Sequence, residues 1–182
     1  MSNSNEARYP GNKIHPSAVI HPDVKIGTGN RIGPYCIIGA HAEWKGHEKE
    51  GRVIIGNNNT ITGLVTIDSG SEGTFTEIKS NCYLMKSVHL GHDVFLDFNV
   101  TVSCGAKIGG HTWIGKDANI GLNAVIHQKQ IISMGCIIGM GAVVTKKLVF
   151  EPYKKYAGNP AKLIGENDGH PNYTIYMNDY GV

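Results

Sequence analysis

Ile108-Gly109-Gly110-His111-Thr112-Trp113-Ile114-Gly115-Lys116-Asp117-Ala118-Asn119-Ile120-Gly121-Leu122-Asn123-Ala124-Val125-Ile126 repeats one aliphatic residue every six positions. The same clock runs outward in both directions. It begins at Ile78 and passes Leu84, Leu90, Leu96 and Val102 before this stretch, then Ile132, Ile138 and Val144 after it. Two earlier runs keep the period in shifted phases: Ile14, Ile20, Ile26, Ile32, Ile38, and then Ile55, Ile61, Ile67. Glycine often follows the aliphatic residue, as at Gly33, Gly91, Gly109 and Gly121. A small or slim residue often stands four places after it, as at Cys36, Cys82, Ala118 and Ala124.

Six is neither the 3.6-residue turn of a helix nor the two-residue alternation of a lone strand. It fits a solenoid with flat faces, in which each hexad gives one short strand and one corner. Three hexads close a triangular coil, with the aliphatic side chain inside and the small residue in the tighter inner position. Glycine is expected to relieve crowding at the corner. Stacked coils then pair as parallel strands about 4.8 Å apart. The fold class is all-β: a left-handed parallel β-helix of hexapeptide repeats with a short C-terminal extension.

The chain reads as one domain over 1–182, with the β-helix over 14–147 and the extension over 148–182. The phase breaks require loops at 41–52 and 69–75, because a prism cannot absorb a partial hexad within a face. The first carries the charged string Glu43-Trp44-Lys45-Gly46-His47-Glu48-Lys49-Glu50. Loops on a rigid scaffold are common places for substrate contacts, and a solvated charged loop is the plainer alternative. Gly158-Asn159-Pro160-Ala161-Lys162 reads as a turn that opens a short helix. The polar tail 166–182, with three tyrosines, has no role assigned by its sequence; packing on a neighbouring subunit is one option.

Composition narrows the function. The 24 glycines in 182 residues suit a repeat protein, and branched aliphatics are too abundant for disorder. A net charge of +2 without a basic block argues against nucleic acid. Cys36, Cys82, Cys104 and Cys136 show no metal-knot spacing and read as reduced, buried thiols of a cytoplasmic protein. The polar N-terminus has no signal-peptide core, and no apolar run approaches the roughly 18 residues of a membrane span.

Of nine histidines, His89, His92, His111 and His127 fall in the unbroken repeat, none at an inward position. With vertical neighbours 18 residues apart, His111 lies one coil above Asp93, and His127 one coil above Gly109. The four gather within about two coils, roughly 10 Å. Histidine takes a proton from a hydroxyl or amine near neutral pH, so His92 reads as a general base. Asp93 orients its ring, and a backbone N–H at Gly110 holds an oxyanion. A metal site on His89, His92 and His111 is the rival reading. No further ligand cluster completes it, and no metal is expected.

These residues resemble a known family. Leu84-Met85-Lys86-Ser87-Val88-His89-Leu90-Gly91-His92-Asp93, Gly109-Gly110-His111, Ala124-Val125-Ile126-His127-Gln128 and Ile32-Gly33-Pro34-Tyr35-Cys36-Ile37-Ile38-Gly39 are similar to bacterial UDP-N-acetylglucosamine O-acyltransferases, the first acyltransferases of lipid A and lipopolysaccharide synthesis. The resemblance runs from Ile14 to Ala161. It implies a homotrimer with His92 as base, Asp93 as its partner and Gly110 as oxyanion donor. His89, His111, His127 and Gln128 would line a cleft between subunits. Glu43 and Lys45 fall where the family has an Asp-x-Lys pair touching the sugar nucleotide, and Asp68 falls where it has a histidine. No cofactor would be bound. The co-substrates would be an acyl thioester on acyl carrier protein and a UDP-sugar.

Two departures temper that. About one and a half coils are missing before the first loop, and the match stops short of the family's helical C-terminal domain. The ending, from Gly141-Ala142-Val143-Val144 through Gly158-Asn159-Pro160-Ala161-Lys162, instead resembles acetyl-CoA-dependent hexapeptide transferases. An acetyl-CoA-dependent sugar acetyltransferase is therefore the alternative. A non-catalytic or metal-binding β-helix protein is the second.

Overall fold

The computed structural model describes residues 4–46, 49–146 and 148–171. After a short helix, Ser4–Arg8, the chain is a left-handed parallel β-helix of three sheets with nine, seven and six strands. Most strands are two residues long, with the first residue facing out and the second buried. Registers step by 18 residues, as in His89↔Lys107 and Lys107↔Val125. Across the first insertion Ile26 pairs with Ile55, 29 residues on, and across the second Ile55 pairs with Ile78, 23 on. Eleven and five extra residues thus loop out, and the ladder closes in phase on either side.

The core is the column of second residues. Ile114, Ile120, Ile138 and their neighbours are fully shielded, and Ala118, Ala124 and Cys136 fill the narrow corners between them. Ile120→Ala removes most of one fully packed rung and should lower stability by about 2–5 kcal/mol. Urea unfolding followed by far-UV circular dichroism measures it, and a loss below about 1 kcal/mol would mean the rung collapses onto its neighbours.

The corner lies elsewhere than the glycine pattern suggested. Along the run from Ile78 to Ile138, left-handed backbone falls three places after the inward residue, at Asn81, Ser87, Asp93, Asn99, Gly105, His111, Asp117, Asn123, Lys129, Gly135 and Gly141. The polar corner residues include several Asn and Asp, which tolerate positive φ better than most. The glycine that follows the inward residue answers to the next coil: a Cβ on Gly109 would meet Gln128 N at 2.5 Å. Two of the candidate site residues, Asp93 and His111, are therefore corner residues stacked one coil apart.

The prism also continues past the expected end at 147. Lys154–Ala157 pairs in parallel with Ile137–Ile138, placing Tyr156 opposite Ile138 in the buried column. The chain then turns back as the strand Lys162–Glu166, antiparallel to Lys154–Ala157. The short helix expected at 158–162 is this hairpin turn instead, because an open sheet edge offers unpaired groups that a returning strand satisfies. Phe75, expected in the second loop, opens the strand Phe75–Ile78. Cys104 is only half-buried, whereas the other three thiols are buried. His47 and Glu48 of the first loop and residues 172–182 of the tail, including its three tyrosines, lie outside the described residues.

Candidate active site

The strand His89–Leu90 ends in the corner Gly91-His92-Asp93, which turns the chain from one sheet to the next. The two insertions meet beside it. Gly51 N–H donates to Gly70 O at 3.1 Å, and Gly70 N–H to Arg52 O at 3.2 Å. A further bridge joins Glu50 and Ser71. This pairing holds the second insertion against the corner and delivers its hydroxyls to Asp93. Ser71 donates its N–H to both carboxylate oxygens, at 3.1 and 3.2 Å, and its Oγ–H to Oδ2 at 2.6 Å. The Thr74 hydroxyl donates to Oδ1.

His92 Nδ1 lies 2.7 Å from Asp93 Oδ2. Burial would push the Asp93 carboxyl up, but the hydrogen bonds from His92, Ser71 and Thr74 outweigh it and hold it below the usual carboxylate range. An ionised carboxylate only accepts, so Nδ1 carries a proton, and in the neutral ring the lone pair is on Nε2. That lone pair faces Gly110: a Cβ there would stand 2.7 Å from Nε2. The Gly110 N–H donates to no group among the described residues, while the flanking Gly109 and His111 N–H groups are both used in the ladder. The ring nitrogen and a residue with an unspent N–H thus lie side by side.

His111, one coil above, sets its Nδ1 3.6 Å from Asp93 Oδ2 and its ring edge-on to His92, centroids 4.8 Å apart. Burial, together with the charges of His92 and Lys129, lowers its pKa against the pull of Asp93, which favours the neutral ring at pH 7. His92, Asp93 and His111 offer three donor atoms within 4.8 Å of one another. Asp93 already accepts four donors from Ser71, Thr74 and His92, so this cluster is organised as a hydrogen-bond relay. His89, the third ligand of the metal reading, is not in that group; its Nδ1 lies 2.8 Å from Thr66 Oγ1.

A cleft of about 280 Å³ opens over His92, walled by Glu43, Asp68, His89, Gly110, Lys107 and Gln128. Lys45, His111 and His127 do not line it in the single chain. His127 turns its Nδ1 to the Gln128 carbonyl at 2.9 Å. The larger groove of about 820 Å³, along Lys13, Arg31 and Tyr83, lies on another face and carries no His–Asp pair. Ser71 and Thr74 were not legible as site residues. Only the loop's position hinted at them, since the register puts Gly70 over Asp93 once the insertion is counted.

Replacing Ser71 by Ala and Thr74 by Val together should lower kcat roughly 10-fold and leave KM within about twofold, because hydrogen bonds to a charged group are lost without touching the cleft wall. The Asp93 carboxyl should titrate higher in the double variant, which carbon-detected NMR reads directly. An unmoved titration with a raised KM would make the loop a substrate contact rather than a clamp.

The bacterial transferase hexapeptide (six repeats) family matches residues 10–42. Together with the unbroken six-residue ladder, that match makes the fold a left-handed β-helix of hexapeptide repeats. The chain is also similar to proteins named acyl-[acyl-carrier-protein]–UDP-N-acetylglucosamine O-acyltransferase. The one from Rickettsia canadensis is 34% identical over 51% of this chain and 47% of its own length. That from Burkholderia vietnamiensis is 36% identical over 50% and 36%. The chain therefore spans less than half the length of these relatives. Among solved hexapeptide-repeat structures, the UDP-N-acetylglucosamine acyltransferase of Bacteroides fragilis superposes with a TM-score of 0.74 at 29% identity, over 94% of this chain and 65% of that one. The Caulobacter crescentus perosamine N-acetyltransferase shares the fold at a TM-score of 0.52 and 21% identity, over 85% and 57%.

Proposed function

We propose that the protein is an acyltransferase that moves an acyl group from a thioester to a nucleotide-linked sugar. One observation carries the reading: His92, with Nδ1 fixed by Asp93, sets its Nε2 against Gly110, whose N–H is unspent among the described residues, in one cleft. His92 takes the proton of the acceptor as its oxygen or nitrogen attacks the thioester carbonyl. The oxyanion of the tetrahedral intermediate accepts from Gly110 N–H. Collapse breaks the C–S bond, and the protonated His92 returns the proton to the departing sulfur. Asp93 stabilises the imidazolium between these steps.

The donor is an acyl group on acyl carrier protein and the acceptor a UDP-sugar such as UDP-N-acetylglucosamine. The names of relatives that match about half of this chain support both. Glu43, Asp68, His89 and Gln128 contact the sugar nucleotide from the cleft wall. Lys45, His111 and His127 complete the cleft once a second copy packs beside it, so the working unit is a homotrimer. Among the described residues no helix is long and apolar enough to cross a membrane. The four free thiols fit a reducing, cytoplasmic setting.

Thiol release with UDP-N-acetylglucosamine tests the reading, with acyl-carrier-protein thioesters and acetyl-CoA supplied separately. Turnover with the carrier protein supports it, whereas turnover with acetyl-CoA alone makes the chain a short-chain transferase. Light scattering at three chain masses is the expected oligomer result; a single chain mass would remove the shared cleft.

A further inference from the structure

The chemical steps above give the Asp68 carboxyl no part in proton transfer. Asp68 ends the strand Thr66–Asp68 and is 5% exposed, yet it lines the cleft beside His89 and His92. Its carboxylate accepts no hydrogen bond among the described residues. His89 Nε2 approaches to 3.9 Å, beyond hydrogen-bond range. Burial and the charge of Lys107 push the His89 pKa down against the pull of Glu43, so at neutral pH that ring brings no positive charge to Asp68. Lys107, the cation on this wall, turns its Nζ onto the Ser87 carbonyl at 2.6 Å. Glu43 reaches the same cleft from the first insertion and adds a second carboxylate. Burial, then the Glu43 charge, raises the Asp68 pKa to about 6 against the pull of His92, so the group is mostly ionised at pH 7 and opposes folding there.

A buried carboxylate kept without a donor is costly. The ligand that offsets the cost is a cation carrying N–H groups, which a hydroxyl acceptor is not. We propose that Asp68, with Glu43 behind it, selects an acceptor sugar that bears a free amine, so that the transfer forms an amide rather than an ester. The proposal rests on the acyltransferase reading of the same cleft. The ammonium docks on Asp68 and yields one proton to it. The neutral nitrogen attacks the thioester carbonyl, and His92 takes the second proton as the C–N bond forms. The C–S bond breaks, the thiol leaves with the proton from His92, and Asp68 returns its proton to solvent. Thioester and ammonium become amide, thiol and one proton.

The test titrates UDP-hexoses carrying one free amine at C2, C3 or C4, each beside its hydroxyl counterpart, into the wild-type chain and Asp68→Asn by calorimetry at pH 7. Thiol release is measured in parallel with both donors. At least one amine should bind about 10-fold or more tightly than its counterpart, and Asp68→Asn should erase that preference. No preference for any amine, or a preference that survives in the variant, overturns the proposal. Faster thiol release with hydroxyl acceptors overturns it as well while leaving the acyltransferase reading intact. An amine preference erased by Asp68→Asn but without thiol release from any thioester sinks the acyltransferase reading instead, and with it amide formation.

Stability gives a readout independent of turnover. A carboxyl whose folded pKa is raised opposes folding once ionised, and Glu43, His89, His92 and Lys107 are the titratable groups that face it across the cleft. Asp68→Asn should therefore raise Tm above pH 6, and the gain should vanish below the ordinary value of 3.8. A lower Tm at pH 7 would show that Asp68 has a partner in the folded chain, and would overturn the proposal.

Discussion

His92→Ala lowers kcat by roughly 10²- to 10⁴-fold, the range lost when a positioned general base is removed. The ring stands outside the aliphatic column of the prism, so its loss leaves the core intact. Asp93 keeps its three donors from Ser71 and Thr74 and holds the second insertion in place. The change in Tm should accordingly be small. Gly110 N–H remains, so the oxyanion contact and residual turnover above the uncatalysed reaction remain too. The split between constants is diagnostic: Asp68, His89 and Gln128 still line the cleft, so KM should hold within a few-fold. Initial-rate thiol release with saturating donor gives both numbers. Turnover within tenfold of wild type refutes the role assigned to His92, and a KM effect with kcat preserved would recast it as a binding residue.

The fold was legible because one physical constraint repeats. Every sixth side chain must enter a dry prism, and twelve consecutive aliphatic residues from Ile78 to Val144 carry that requirement without interruption. Adding 18 then placed His111 over Asp93 before any coordinates, and the structure puts His111 Nδ1 3.6 Å from that carboxylate. The same clock misled where chemistry changed but geometry did not. Phe150 and Tyr156 keep the six-residue phase after Val144 and are buried, with rings 4.6 Å apart. An aliphatic pattern overlooks them and therefore ends the prism at 147. Asn30 and Asn59 occupy the small inner position and are fully buried. There the Asn12 side chain accepts from Asn30 N–H, and Asn30 in turn from Asn59 N–H, both at 2.8 Å. Hydropathy alone marks such residues as exposed, whereas a backbone partner in each coil makes them internal.

The insertions show where legibility ends. Their place and length follow from the phase breaks, but their conformation obeys no period. Nothing in Ser69-Gly70-Ser71-Glu72-Gly73-Thr74 announces that two hydroxyls and one N–H will close on a carboxylate 19 to 22 residues ahead. Asp68 is a related case. Its sequence position flagged it as a departure from the resembling family, while its burial, and its lack of donors among the described residues, came only with the fold. The corner geometry joins the two levels. Asp93 can face the second insertion and His92 at once because it occupies a left-handed corner, with φ of 59°.

Asp93→Asn should cost about as much as losing the base itself, roughly 10²- to 10⁴-fold in kcat, although the two side chains have nearly the same shape. The carboxylate accepts from His92 Nδ1, Ser71 N–H, Ser71 Oγ and Thr74 Oγ1. An amide has one accepting oxygen, and its NH₂ must face one of those donors. If the oxygen stays with Ser71 and Thr74, the NH₂ faces Nδ1. The proton then moves to Nε2 and no lone pair points at the cleft. If the oxygen turns to His92, the second insertion loses its anchor. Amide exchange separates the outcomes, since only the second speeds exchange at Gly70 and Ser71. The pH dependence carries a further sign. Because Asp93 titrates below its ordinary value of 3.8, its ionised form adds stability that is fully present above that pH and fades as pH falls through the lower folded value. Wild type should therefore exceed Asp93→Asn in Tm at pH 7, with the gap closing in strong acid. A variant that keeps wild-type kcat would show that His92 orients itself without the carboxylate, and the relay would lose its function.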